Sequence, residues 1–304
     1  MTISPKTSLN ADYVRVKLSR SHARSMTIST RGIVAAESPL AAQAGAVVLA
    51  RGGHAVDAAI AANAVMGVVA PMMNGIGGDL FAIVHDARTG AVHGLNASGW
   101  SPAAMTIEFL EGRGHAAMPQ HGIHSVTVPG AVSGWMALHD KFGRVPFDVV
   151  LSAAIEHADG GFPVPEITAL EWAGAVPLLR TDTNAIRTYL PDGAAPVTGE
   201  LFRNSDLART LTAIARTGGD AFYRGDVAQR ILQCSAEQGG AHTAADLADY
   251  QPEWVTPLTT NYRGWDVYEI PPNLPPGTQA VVRMEGGCFR LYFVTPDPKP
   301  PKTN

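Results

Sequence analysis

The 304-residue sequence is 46% hydrophobic and 16% charged, with 31 glycines and 22 prolines, so it can fill a sizeable core and is neither wholly disordered nor collagen-like. Its net charge of −4 excludes an overall basic nucleic-acid binder. Two cysteines, Cys234 and Cys288, provide neither a disulfide framework nor a cysteine-rich metal site.

Residues 1–30 predict a disordered basic leader. Through Arg31 the chain holds Lys6, Arg15, Lys17, Arg20, Arg24 and Arg31 against one acid, Asp12, a charge of +5 that leaves −9 for the remainder. This head is rich in Ser and Thr and has no apolar run of secretory-signal length, although an acid-poor, Arg-rich head also has transit-peptide character. The longest apolar run, 55–70, is interrupted by Asp57 and Asn63 and is too short to span a bilayer. A cytoplasmic chain with no nucleic-acid or membrane partner is expected.

Residues 32–37 predict a short buried strand. Ser38-Pro39 then gives an N-cap and a first-turn proline for a helix that Gly52-Gly53 ends. A second helix, 55–69, is apolar nearly all round and should be buried on several sides. Strands at 80–85 and 91–95, joined by the turn cluster 86–90, predict a hairpin. A short strand at 125–129 precedes helices from Ala131 to about Phe142 and over 147–159. Segments 201–219 and 221–240 each predict a helix closed by paired glycines. Thr243 to Asp246 has capping-box form, and strands follow at 258–262 and 265–270. The remaining segment, 281–304, carries Phe289, Tyr292 and Phe293 and then a Pro/Lys-rich end. Strands mixed with helices predict an α+β or layered α/β class.

Local chemistry is sparse. The glycines at 75, 77 and 78 lack the spacing and the Lys-Ser/Thr of a phosphate loop and read as close backbone packing before a strand. His121 with His124, and His54 with Asp57, are pairs without a third ligand, which suits loop and surface roles rather than a metal. Ser98-Gly99 and Ser133-Gly134 do not match the G-x-S-x-G frame of a serine nucleophile. Thr2 sits in a polar leader, unlike an N-terminal nucleophile at the head of a buried strand, and Thr259-Thr260 reads as β-branched strand filling.

A series of ordered motifs resembles the gamma-glutamyltransferase family, which comprises glutathione hydrolases and related amidohydrolases and acylases. These are segments 32–71, 75–79, 125–135, 151–165, 221–225 and 246–250, and Tyr262-Arg263-Gly264 with Pro271-Pro272. Together they cover about residues 31–280. The resemblance implies an α+β fold, a layered αββα N-terminal-nucleophile hydrolase sandwich, of which these residues are the large-subunit part. It implies a precursor that cleaves itself before a threonine, which then attacks an amide carbonyl from the head of a small subunit. No metal or organic cofactor is implied. The substrate is a small amide or γ-glutamyl compound.

Two departures follow from that resemblance. The family's arginine for the γ-glutamyl α-carboxylate falls, aligned on Pro102, at Ser98, so Ser98, Gly99 and Trp100 are the candidate substrate-binding residues and other amides become the expected substrates. Residues 281–304 match no family segment and are expected to be a divergent tail on a truncated product. No catalytic residue is therefore assigned within the chain. Alone it should be inactive and expose strand edges and apolar faces. The alternatives are a split enzyme completed by a separate small-subunit chain, or a non-catalytic binding protein on a decayed hydrolase scaffold.

Overall fold

The computed structural model describes residues 27–273, together with the backbone of 279–285 and 288–294. Most of the expected leader and the end of the expected tail therefore lie outside the described residues.

Helix α1 (Pro39–Ala50) starts on Pro39, whose ring presets φ for a first helical turn. Ser38 precedes it without capping through its side chain, and its buried Oγ has no hydrogen-bond partner among the described residues. Helix α2 (Ala55–Val69) is the centre of the core, with Ala58, Ile60, Ala61, Val65 and Val69 each 2% exposed or less. It packs against α1 and against α4 (Ala131–Phe142) and α5 (Phe147–Gly160), as its all-round apolar surface requires. Between these, α3 (Ile107–Glu111) is a short surface helix.

Strands β1 (Leu80–Asp86) and β2 (Ala91–Ala97) form the expected hairpin, with Leu80 opposite Ala97 and Asp86 opposite Ala91. Strand β5 (Glu253–Val255) joins the free edge of β2, so the sheet order is β1-β2-β5, antiparallel throughout. One face of this sheet lies on α4. The approach is tightest at Gly130, where a Cβ would sit 2.0 Å from the Ala97 carbonyl oxygen, a position only glycine can fill.

The second half of the helical layer holds α6 (Glu166–Leu179), α7 (Thr183–Tyr189), α8 (Ser205–Thr217), α9 (Asp220–Tyr223), α10 (Asp226–Glu237) and α11 (Ala244–Asp249). Helix α8 packs on α5, and Trp172 of α6 is 1% exposed with its indole N–H donated to the Tyr189 carbonyl at 2.8 Å. Burying such a ring contributes about 3 kcal/mol. Strands β3 (Phe162–Pro163) and β4 (Leu201–Phe202) form a two-residue ladder beside it. The expected strands β6 (Leu258–Tyr262) and β7 (Trp265–Glu269) pair antiparallel as a hairpin. Strands β8 (Gln279–Glu285) and β9 (Cys288–Val294) pair with each other, and β8 lies beside β6.

Four expectations are corrected. Residues 32–37 form no strand and pair with no described strand, and Ile33 is 57% exposed; a strand requires a ladder partner, and the apolar run alone cannot supply one. Residues 123–125 form a 3-10 turn, and 126–129 are not a strand, because Val128 gives its N–H to the Trp100 carbonyl and Pro129 has none to give. Segment 201–219 opens as β4, and its helix starts only after the Asn204 cap. Segment 221–240 is divided at Arg224-Gly225, so α9 and α10 are separate helices. Helices α6 and α7 fall where the sequence reading assigned no element.

Helices and strands in these proportions make an α+β chain. No helix among the described residues is long and apolar enough to cross a membrane.

Candidate functional site

The site grows from the alternation of β2. Leu95 and Ala97 point into the core at 0% exposure, so Asn96 between them faces the other way. Asn96 stands opposite Phe81 on β1 and Glu253 on β5, one cross-strand row on the outward face. Past the strand end, the Asn96 side-chain oxygen accepts the Ser98 N–H at 3.0 Å, and its amide donates to the Asn273 side-chain oxygen.

The chain then turns at Gly99. Its φ of +85° lies in the left-handed region, and a Cβ there would stand 2.0 Å from the Val128 carbonyl oxygen. Trp100 accepts the Val128 N–H on its carbonyl at 2.8 Å, which fastens the turn to the entrance of α4. The Tyr250 hydroxyl receives the Gly99 N–H at 3.2 Å, and the Trp100 and Tyr250 rings meet edge to face at 5.2 Å. Burial raises the Tyr250 pKa, the Gly99 N–H opposes that, and the Glu253 charge adds to it. Below the turn, Asp246 accepts the Ala103 N–H at 2.9 Å while closing the capping box of α11 with Thr243.

Together these elements enclose a cleft of about 550 Å³. Asn96, Ser98, Gly99, Trp100, Tyr250 and Glu253 line it, together with Pro271-Pro272 and Asn273. The structure thus brings Ser98, Gly99 and Trp100 to one surface. Among the described residues Ser98 Oγ donates only to the Gly99 carbonyl, at 3.3 Å, and none of them aims a base at it. Glu253 is the sole charged residue among the described residues lining the cleft. Sequence reading missed Asn96, Glu253 and Asn273 as site residues. Asn96 could have been found from its strand-period spacing to Ser98, whereas the other two approach only through the fold.

Other sequence candidates resolve into structure. A Cβ on Gly75 or Gly77 would meet nothing within 4 Å, so that loop is not the close-packed segment expected. Its work is done by the Gly78 carbonyl, which accepts the N–H groups of Gly130 and Ala131 at 2.9 and 3.0 Å and so occupies donors that a phosphate would need. Asp57 is not a surface residue. It is 0% exposed, and its Oδ2 accepts the N–H groups of His54 at 2.7 Å and Arg144 at 2.9 Å. His124 pairs with His115 at 2.8 Å rather than with His121, and no group of three or more His, Cys, Asp or Glu among the described residues is placed to hold a metal. Ser235 and His242 are hydrogen-bonded at 2.9 Å, but Ser235 is 2% exposed in the last turn of α10, where the helix carbonyls oppose a developing oxyanion. Thr259 and Thr260 sit within β6, opposite Tyr268 and Val267.

The sequence profile of the gamma-glutamyltranspeptidase family matches residues 41–283. The chain is 38% identical over 278 residues to the glutathione hydrolase-like YwrD proenzyme of Bacillus subtilis, covering 88% of this chain and 53% of that protein. It is 35% identical over 266 residues to the oxamate amidohydrolase proenzyme of Klebsiella pneumoniae, covering 86% and 49%. Among solved structures, a cephalosporin acylase from Bacillus halodurans is 40% identical with a TM-score of 0.75, covering 82% of this chain and 49% of that one. Helicobacter pylori gamma-glutamyltranspeptidase superposes with a TM-score of 0.78 at 30% identity, covering 82% and 72%. The chain spans about half the length of the curated relatives it matches. It belongs to the gamma-glutamyltranspeptidase family.

Proposed function

As a member of the gamma-glutamyltranspeptidase family, this chain forms, we propose, the large-subunit part of a self-processing amide hydrolase and acyl transferase. Its cleft at Ser98, Gly99 and Trp100 receives the acyl side of a small amide. The nucleophilic threonine comes from small-subunit residues outside this chain. Its Oγ bonds to the acyl carbon, the amide C–N bond breaks, and the amine departs with a proton; water or an acceptor amine then takes the acyl group. The outward sheet face beside the cleft, with Phe81 and Ile83 exposed, is the surface for small-subunit strands. The cytoplasm is the proposed compartment.

The observation that carries this reading is the cleft itself. It holds Ser98, which falls at the family's carboxylate-binding arginine when the segment is aligned on Pro102, together with Gly99 and Trp100, and offers no guanidinium among its described lining. A γ-glutamyl α-carboxylate loses its bidentate partner there, so amides other than glutathione are the substrates. Relatives named for oxamate amidohydrolase and acylase activity support that breadth.

The test has two arms. The purified chain should release no p-nitroaniline from γ-glutamyl or simple acyl anilides, and clear single-chain turnover would overturn the assignment of the nucleophile elsewhere. A complete homologue with the same Ser-Gly context should turn over simple amides and handle glutathione poorly. Efficient glutathione hydrolysis by that homologue would remove the substrate assignment.

A further inference from the structure

We infer that Glu253 is a specificity-determining residue of this cleft, and that the cleft favours acyl groups carrying an ammonium or another strong hydrogen-bond donor over those carrying a carboxylate. The inference rests on the cleft being the acyl site proposed above. It adds the chemical class of the group recognised.

Three observations carry it. The register places Glu253 directly opposite Asn96, so both side chains leave the same face of the sheet, two residues along from Ser98. Among the described residues its carboxylate has no hydrogen-bond or ion-pair partner, whereas Asn96 is held by Ser98 and Asn273. An unshared anionic acceptor in a cleft lined by no described cation is complementary to a donor or cation and repels a carboxylate. Beside it the Trp100 ring is 44% exposed and offers an aromatic surface, which attracts an ammonium through its quadrupole. Both walls therefore prefer the same sign of ligand. The register reached through β5 makes this an arrangement that residues 96–102 alone do not announce.

Three anilides of matched length test it on the chain as it stands: 4-aminobutyranilide (cationic), valeranilide (neutral) and succinanilic acid (anionic). Kd is measured by calorimetry, and Trp100 fluorescence, with W100F as control, locates the binding. The expected order is cation, neutral, anion, with roughly fivefold steps appropriate to a screened charge pair. Glu253→Gln should level the cationic and neutral probes, Glu253→Lys should reverse the order, and 1 M salt should compress it. Both substitutions fall on an exposed side chain, so folding is not at stake. Binding that perturbs Trp100 but ignores probe charge, or an order unchanged in E253Q, overturns the role of Glu253 and leaves the acyl-site reading intact. Failure of all three probes to perturb Trp100 overturns the acyl-site reading, and this inference with it.

Discussion

On one face of the β1-β2-β5 sheet, Leu95 and Ala97 lie at 0% exposure beneath α4; on the other, Phe81 and Ile83 keep 47% and 43% of their surface in solvent. Both faces are apolar along β1, as expected of strands meant to be covered twice. The difference lies in what meets them. The inward face has α4, brought close by Gly130, with the Gly130 and Ala131 N–H groups taken by the Gly78 carbonyl, the Ser133 N–H by the Tyr223 hydroxyl at 2.9 Å and the Arg144 N–H by Asp57. The outward face has the cleft at one end and the Ile270 side chain near Gly94, and is otherwise open among the described residues. A strand pattern therefore reports how many layers a sheet is built for, and the described residues supply one of two.

Substitutions that discriminate between the faces can break or sharpen this contrast. The largest effect is expected at Gly130→Ala, where the new Cβ collides with the Ala97 carbonyl; a loss of about 4 kcal/mol should appear as collapse of the thermal midpoint. Gly77→Ala, in open space, is the control and should stay within about 0.5 kcal/mol of the parent. Equal stability of the two variants would mean that α4 is not clamped to the sheet.

Next comes Asp57→Ala, which strands the partly buried N–H groups of His54 and Arg144. Urea unfolding should show a loss of about 3 kcal/mol. A value under about 1 kcal/mol would place that carboxylate in water, not in the core.

A smaller, pH-dependent effect belongs to the cleft wall. Burial pushes the Asp246 carboxyl up, but bonds from Ala103 and Thr243 and the nearby His242 outweigh it, so its pKa is lowered on folding. Such a group stabilises the folded chain above the ordinary aspartate range, and that contribution fades as pH falls through the lowered value. Since the site is partly solvated, the contribution is under about 1 kcal/mol. The stability gap between parent and Asp246→Asn should therefore be present at neutral pH and close in acid. A gap that widens on acidification would contradict the sign.

The smallest effect is expected on the open face. Phe81→Ser with Ile83→Ser should alter the thermal midpoint little, within about 0.5 kcal/mol per site, while reducing concentration-dependent association in sedimentation velocity. Strong destabilisation would show that the face is already covered.

The helices α1, α2, α4 and α5, the β1-β2 hairpin and the strands β6 and β7 were legible because their periodicity and punctuation are local. Proline at 39, the glycines after α1 and the Thr243-Asp246 box each act within one turn of chain. The turn at Ser98-Gly99 was legible only through the family resemblance, since nothing local separates it from other Ser-Gly pairs. Tyr250 and Glu253 reach the cleft by tertiary pairing, which leaves no local trace. The same holds for Asp57: its spacing to His54 suggested a surface pair, and only the fold brings the Arg144 N–H and His139 to its buried carboxylate.

One feature of the cleft has a temporal side. The Gly99 N–H reaches a Tyr250 hydroxyl 151 residues later in the chain, and the Asn96–Glu253 pairing closes a loop of similar size. Contacts of such separation form late, after the loop between them has organised. During synthesis the Ser98 turn must wait for β5 before it has a second wall, so the cleft is complete only once the intervening helices have folded.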